Sequence, residues 1–462
     1  MIKCTGGINL QSSAQQPNFR LQFMDKKCIA STKEGPQSVP TRMSTLTTTM
    51  RSLGNQIHSK VDSLGSSEGN MSVESIDSWV YDGKDEFSEL GDRIDAAPLP
   101  LPKVGGKVTV TLVRHGQSTW NARNRVQGSS NFSVLTEKGV YQAEMAAELL
   151  KGNVFGHVFV SPLSRARQTA DKIMERVQVM KNRPEIILPS LREIDLYSFQ
   201  GMDKFSRRAE VSAEYAQWKA NPSAFEIDGH APVRELWYRA SLAWQSILCM
   251  VIAEEAEDDI LVVAHNAVNQ ALLCTAMGLP PELFRKITQS NAAYSQIAFT
   301  NNGKKMKVCI NCTNSFPSVD MLAREVLPHS GKAQKFLRHK FVLVCSDDSG
   351  DATLKHIHEE YLKEDNNTVP CVVAIGSPSE QAADVMTTVE ATLSAHTSST
   401  ILAAASAEAC NLIIKSLMGI HDDHVSFMLS PGSVSILSIV SGGSNGTTSS
   451  ASIICTNYSI PF

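Results

Sequence analysis

Residues 107–118 read KVTVTLVRHGQS, and this stretch determines the first part of the fold. Six residues from Val108 to Val113 are all β-branched or aliphatic, and glycines stand on either side, at Gly106 and Gly116. A short apolar run between turn residues predicts a buried strand. The pair Arg114-His115 therefore comes where this strand ends.

Strand and helix patterns alternate along the chain after this point. Predicted strands cover residues 157–160, 186–188 and 260–264, and predicted helices cover residues 136–150, 164–179, 234–256 and 268–277. Alternation of this kind predicts an α/β fold with a mainly parallel sheet. We assign residues 107–302 to this domain.

Five polar side chains follow the predicted strands. Arg114 and His115 follow the first strand, Arg165 the second, Glu193 the third and His265 the fourth. Because the carboxyl ends of parallel strands open on one crevice, these groups can meet although they are far apart in sequence.

The residue types suit phosphoryl transfer. Two arginines bind a phosphate with planar, permanently charged forks. A neutral imidazole can attack phosphorus, and a second imidazole adds a donor to the phosphate oxygens. A carboxylic acid can protonate the leaving oxygen and then activate water. Because arginines supply the positive charge, the chemistry requires no metal ion, and we predict neither a metal nor a cofactor.

Two motifs carry a resemblance to a known family. Residues 114–121 read RHGQSTWN and residues 161–170 read SPLSRARQTA. In these motifs residues 107–300 resemble the phosphoglycerate mutase-like, or histidine phosphatase, superfamily. The resemblance implies a three-layer αβα domain and a phosphatase acting on a small-molecule phosphate.

The resemblance also implies a role for each matching residue. His115 is expected to be the nucleophile and Glu193 the proton donor, with His265 as a further catalytic and phosphate-binding group. The remaining residues expected to bind phosphate or line the pocket are Arg114, Arg165, Asn121, Gln127 and Gly128.

Two features bear on the type of reaction. Only 71 residues separate Glu193 from His265, without the insertion that caps the site in true phosphoglycerate mutases. An open site admits water, which favours hydrolysis, although a mutase and a non-catalytic phosphate-binding module both remain alternatives. Asn266 follows His265, as in a plant subgroup of chloroplast sugar-phosphate phosphatases that residues 127–136 and 191–201 also resemble.

The C-terminal part repeats a segment of the first domain's sequence. Residues 401–420 match residues 260–279 at a constant offset of 141 residues, without a gap. We interpret residues 338–462 as a shorter, degenerate α/β copy. In this copy Cys345 and Ser346 align with Arg114 and His115, Ser406 aligns with His265, and the arginine position falls near Gln381. We therefore expect it to be non-catalytic, and either to pack on the first domain or to bind a partner.

The N-terminal residues have a different composition. Residues 1–60 hold eight Lys or Arg, two acids and fourteen Ser or Thr, which is typical of an organelle transit peptide. Residues 61–106 are acidic and end in a proline-rich stretch, which predicts a linker. Together with the resemblance, this leader predicts the chloroplast stroma.

Composition limits the remaining possibilities. The 462 residues carry a net charge of −4, which gives no reason to expect nucleic-acid binding, and no apolar run is long enough to predict a membrane span. Ten scattered cysteines are typical of a reducing compartment. Cys309 and Cys312 form a C-x-x-C pair, which fits a redox pair, half of a zinc site or two ordinary thiols. Sequence predicts no oligomeric state.

Overall fold

The computed structural model describes residues 97–179, 185–204, 209–253, 259–300, 305–312, 337–345, 371–374, 382–395, 400–442 and 447–458. All of them belong to one compact unit, Val80–Phe462. The predicted leader (1–60) and most of the predicted linker (61–106) lie outside the described residues. So do Ser346 and Gln381, which were aligned with catalytic positions.

The first part of the unit alternates strands and helices, as predicted. Its strands are β1 (Val108–Arg114), β2 (Val154–Val160), β3 (Gln178–Val179), β4 (Ile186–Ile187), β5 (Asp259–Ala264), β6 (Tyr294–Thr300) and β7 (Lys305–Cys312). Its helices are α1 (Thr119–Ala122), α2 (Glu137–Leu150), α3 (Ser164–Met174), α4 (Ala209–Ala220), α5 (Pro232–Ala253) and α6 (Asn266–Ala276).

These strands form a mixed sheet whose centre is parallel. Strand β1 pairs in parallel with β5, and β5 pairs in parallel with β2. On its other side β1 pairs antiparallel with β6, which pairs antiparallel with β7. The short strands β3 and β4 extend the β2 edge. The carboxyl ends of β1, β2 and β5 therefore lie at one edge, where ligands bind in sheets of this kind.

Helices cover both faces of this sheet. On one face Val113, Val158 and Val263 pack against α2 and α3 in a buried cluster. Because side chains alternate along a strand, Leu112 and Val262 point to the opposite face. There Trp244 of α5 lies against β6 and donates a hydrogen bond to a carbonyl of α6. The mixed α/β fold predicted from sequence is confirmed.

Some predicted boundaries were wrong. The helix predicted over 164–179 ends at Met174, and the chain then forms β3, because Gln178 and Val179 pair with the edge of β2. The helix predicted over 234–256 begins earlier, at Pro232, a residue suited to the first turn of a helix. The sheet also continues past residue 302 into β7.

A second sheet follows in the C-terminal part. Its strands are β8 (Leu337–Cys345), β9 (Cys371–Ala374), β10 (Thr400–Ala405), β12 (Val434–Gly442) and β13 (Thr447–Tyr458). They lie in the order β13-β12-β8-β10-β9, with helices α7 (Ala382–Ala395) and α8 (Ala407–Met418) in the connections. Strand β11 (Val425–Phe427) leaves this part and pairs with β7 of the first sheet.

Among the described residues, no helix combines the length and the apolar character that crossing a membrane requires.

Candidate active site

His115 is placed by the end of β1. Its backbone N–H donates to the carbonyl of Ala264 on the neighbouring strand β5, 3.0 Å away. Its ring is buried, and Nδ1 lies 2.6 Å from the carbonyl oxygen of Gly116. A carbonyl can only accept, so Nδ1 carries the proton. The Nε2 atom is then left with a lone pair, as a nucleophile requires.

The surroundings keep this ring neutral. Burial lowers the pKa of His115 well below its usual value, and the nearby charges of Arg165 and Arg114 lower it further. The histidine therefore holds its unprotonated form at neutral pH, when its lone pair is available.

Arg165 lies in the first turn of α3 and is fully buried. Its Nη2 donates to the carbonyl of Gly128 at 2.9 Å, and its Nη1 donates to the carbonyl of Ser130 at 2.7 Å. Gly128 has φ +51°, and a Cβ there would lie 2.2 Å from the Gln200 side chain. This position favours glycine, and the carbonyls of the loop orient the guanidinium.

His265 is the N-cap residue of α6, directly after β5. It is buried beside His115, and its Nε2 lies 2.7 Å from the hydroxyl of Ser161 at the end of β2. Burial lowers its pKa well below the usual value, and the charge of Arg165 lowers it further. The ring is therefore a neutral hydrogen-bonding group rather than a fixed charge.

Three polar atoms in this cluster have no hydrogen-bond partner among the described residues, and the two that belong to arginines are donors. They are Nε of Arg114, Nε of Arg165 and Nδ1 of His265, and all three are buried. Buried donors are normally paired, so a cluster of unpaired ones indicates a site for an acceptor. Burial lowers the pKa of both arginines to about 10, so both keep their charge at neutral pH. The missing acceptor is therefore best supplied by an anion.

Glu193 lies beside this cluster, but it already has partners. Its Oε1 accepts the backbone N–H groups of Ile194, Ala267 and Val268, at 3.0 to 3.1 Å. The last two belong to the first turn of α6. Arg239 of α5 donates to the carbonyls of Arg192 and Glu193, which fixes the backbone at this point.

Asn121 and Gln127 act on Ser118 rather than on the arginines. The Asn121 side chain accepts from the backbone N–H of Ser118 at 3.2 Å, which completes a capping box on α1. The Gln127 oxygen accepts from the hydroxyls of Ser118 and Ser133, at 2.8 and 2.7 Å. Both residues therefore order the loop that follows the Arg114-His115 pair.

Several residues of this site were not predicted individually. Gln289 accepts from Arg114 through its carbonyl at 2.5 Å, and Asn291 donates to the carbonyl of His115 at 3.0 Å. Thr169 accepts the backbone N–H of Gly116 at 3.2 Å. Thr169 and Ser161 stood within a quoted motif without an assigned role. Nothing in the sequence distinguishes Gln289 or Asn291, because Gln289 uses its own backbone carbonyl and the Asn291 side chain donates to a backbone carbonyl.

The comparisons with known proteins agree with this geometry. The family described as "Histidine phosphatase superfamily (branch 1)" matches residues 110–312. A protein of Proteus mirabilis named probable phosphoglycerate mutase GpmB is 31% identical over 196 residues, which cover 42% of this chain and 86% of that protein. The chain therefore belongs to the histidine phosphatase superfamily.

Two plant relatives are more similar in sequence. The chain is 45% identical to the 2-carboxy-D-arabinitol-1-phosphatase of Triticum aestivum over 258 residues, 55% of this chain and 48% of that protein. It is 48% identical to a probable 2-carboxy-D-arabinitol-1-phosphatase of Arabidopsis thaliana over 212 residues, 45% of this chain and 42% of that protein. The chain thus matches about half the length of these relatives.

Proposed function

We propose that this chain is a phosphomonoesterase that hydrolyses a sugar phosphate through a phosphohistidine intermediate on His115. The observation that carries the proposal is the two unpaired buried donors on Arg114 and Arg165, close to an imidazole whose Nε2 is unprotonated. An anion with several oxygens, such as a phosphoryl group, can accept from more than one donor at once.

The reaction takes place in two steps. In the first, the lone pair on Nε2 of His115 forms a bond to phosphorus, and the bond from phosphorus to the sugar oxygen breaks. The sugar oxygen leaves with a proton. In the second, water attacks the phosphohistidine, the bond from nitrogen to phosphorus breaks, and orthophosphate is released. The arginines and His265 stabilise the charge on the phosphoryl oxygens in both steps.

Glu193 is our candidate for the group that transfers the proton. In the structure its Oε1 is held by three backbone N–H groups, whereas Oε2 has one such contact, with Ala267 at 3.1 Å. The less restrained oxygen is the better one to move a proton. It would protonate the leaving sugar oxygen first and take a proton from the attacking water second.

The names of the plant relatives support a particular substrate class. We propose 2-carboxy-D-arabinitol 1-phosphate, or a related pentulose bisphosphate, as the substrate, so that the enzyme removes an inhibitor of Rubisco. A leader of basic and hydroxylated residues supports a place for the enzyme in the chloroplast stroma.

A substrate panel tests this proposal. The full chain is assayed with 2-carboxyarabinitol 1-phosphate, pentulose bisphosphates, phosphoglycerates and an aryl phosphate, with release of orthophosphate as the readout. We expect the highest kcat/KM for a carboxylated or bisphosphorylated pentose, with vanadate inhibiting and EDTA having no effect. Phosphoryl exchange between phosphoglycerates that outpaces orthophosphate release would establish a mutase instead. Tight vanadate binding without turnover of any substrate would indicate a phosphate-binding module.

A further inference from the structure

The second sheet repeats the strand arrangement of the first. In the first sheet, with the order β7-β6-β1-β5-β2, strands β1, β5 and β2 are parallel, β6 is antiparallel to β1, and β7 is antiparallel to β6. In the second sheet the order β13-β12-β8-β10-β9 has the same directions, strand for strand. Each position in one sheet therefore has an equivalent in the other.

The equivalence extends to single hydrogen bonds. Arg114 donates its backbone N–H to Ala293 at 3.1 Å, and the equivalent Cys345 donates to Ser433 at 2.8 Å. The glycines that end the two equivalent helices, Gly278 and Gly419, have φ +70° and +68°. The described strands of the C-terminal part thus repeat the arrangement of the first domain, with Cys345 and Ser406 at the positions of Arg114 and His265.

The two halves pair with each other reciprocally. Strand β11 of the second half pairs with β7, with Phe427 opposite Val308. At the equivalent place in the first half, Ile287 pairs with Ile453 of β13. In a two-fold interface between identical subunits, each contact occurs twice, with the roles of the two subunits reversed. Here both subunits are parts of one chain.

One of these reciprocal contacts leads to the active site. Thr288 donates its backbone N–H to the carbonyl of Ile453 at 3.0 Å, and its hydroxyl lies 2.8 Å from the carbonyl of Ile454. Ile453 in turn donates to the carbonyl of Lys286 at 2.7 Å. The next residue, Gln289, supplies the carbonyl that accepts from Arg114.

We infer that the C-terminal half is a positioning domain, which holds segment 286–289 on β13 and so fixes the guanidinium of Arg114 for phosphate binding. The inference rests on the proposed function, because it concerns the same phosphate site. It assigns to the degenerate half a role that needs none of the lost catalytic residues. Small displacements of a positioning group are costly in catalysis, so this contact affects the site without touching the substrate.

Thr288→Val in the full chain tests the inference. The substitution keeps the β-branched shape but removes the hydroxyl that donates to β13. We expect the Ki for vanadate to rise about tenfold. In binding free energy, a tenfold change is similar to the contribution of one hydrogen bond. With an aryl phosphate, kcat should fall together with vanadate affinity. Thr288→Ser keeps the hydroxyl and should restore both within about twofold.

Thr456→Val is the matched control. The hydroxyl of Thr456 accepts the backbone N–H of Ile310 at 2.9 Å, so this substitution also removes a buried hydrogen bond between the halves. It has no contact with segment 286–289 among the described hydrogen bonds. We expect it to lower Tm but to leave the Ki for vanadate unchanged. An unchanged Ki in Thr288→Val, or equal changes in both variants, would overturn the inference.

The vanadate measurement separates this inference from the proposed function. If the wild-type chain binds vanadate but hydrolyses no phosphomonoester, the proposed function fails, and the comparison of Ki values still decides the positioning role. If the wild-type chain does not bind vanadate at all, there is no phosphate site to position, and both are overturned.

Discussion

The imidazole rings of His115 and His265 lie edge to face, with their centroids 5.1 Å apart and their planes at 60°. Both rings are buried, and two nearby arginines carry the positive charge of the cluster. Two adjacent imidazolium ions would repel each other and the arginines. The arrangement therefore keeps both histidines neutral, as the proposed nucleophilic role of His115 requires.

Replacement of the nucleophile should abolish turnover. We expect His115→Ala to lower kcat by at least about 10⁴-fold, as is usual when a covalent nucleophile is removed. A denaturing quench at alkaline pH, where the N–P bond is stable, should trap a phosphohistidine from ³²P-labelled substrate on the wild-type peptide that contains residue 115. His424→Gln, in the second half, serves as the control and should keep full labelling. Label retained in His115→Ala would assign the nucleophile to another residue.

The planar guanidinium of Arg165 should contribute more to activity than its positive charge alone. Arg165→Lys keeps a cation but replaces the planar fork, which reaches Gly128 and Ser130 through two separate nitrogens, with a single ammonium nitrogen. We expect kcat/KM to fall about 10²- to 10³-fold. Arg167→Lys is the matched control, because Arg167 is a largely exposed residue paired with Glu185. That control should change kcat/KM by less than about twofold, since surface ion pairs contribute little. Similar losses in both variants would contradict a specific role for Arg165.

The buried histidines should make stability depend on pH. The pKas of His115 and His265 are lowered in the folded chain, whereas in the unfolded chain they are about 6.5. Below pH of about 6.5 the unfolded chain binds protons that the folded chain does not, so the free energy of unfolding falls as pH falls. We expect a loss of about 1 kcal/mol per histidine between about pH 7.5 and 5.5.

Urea denaturation at both pH values measures this dependence. His265→Asn should show a smaller loss than wild type, because one titrating group has been removed. An equal loss in the two proteins would mean that His265 does not contribute to the pH dependence.

The close approach of Gly116 to Gly139 should leave no room for a side chain at Gly116. A Cβ at Gly116 would lie 2.2 Å from the carbonyl oxygen of Gly139 at the start of α2. We expect Gly116→Ala to destabilise the fold by about 1–3 kcal/mol and to lower kcat, since His115 must shift with its neighbour. At Gly152 an added Cβ meets nothing within 4 Å, so Gly152→Ala should leave Tm and kcat nearly unchanged. Thermal unfolding and aryl phosphate hydrolysis measure both effects.

Local signals account for what could be predicted. The apolar runs before His115 and His265 predict strands because the length and the β-branched composition of such a run can be read from the sequence alone. The helix predicted from residue 136 has Thr136 as its N-cap, and the Thr136 hydroxyl accepts the backbone N–H of Gly139. By contrast, β3 is too short to show a pattern. It is a strand only because β2 offers it an unpaired edge.

The sequence by itself determined which residue types stand at the strand ends and hence the phosphate chemistry that they suit. It also contained the 141-residue offset between the two halves. Only the tertiary structure decided that Nε2 of His115 is the unprotonated nitrogen, because its tautomer depends on the Gly116 carbonyl. Likewise, only the tertiary structure joined Thr288 to β13 and Gln289 to Arg114. In each of these contacts a side chain donates to a backbone carbonyl, which every residue possesses, so no sequence pattern could have revealed the partner.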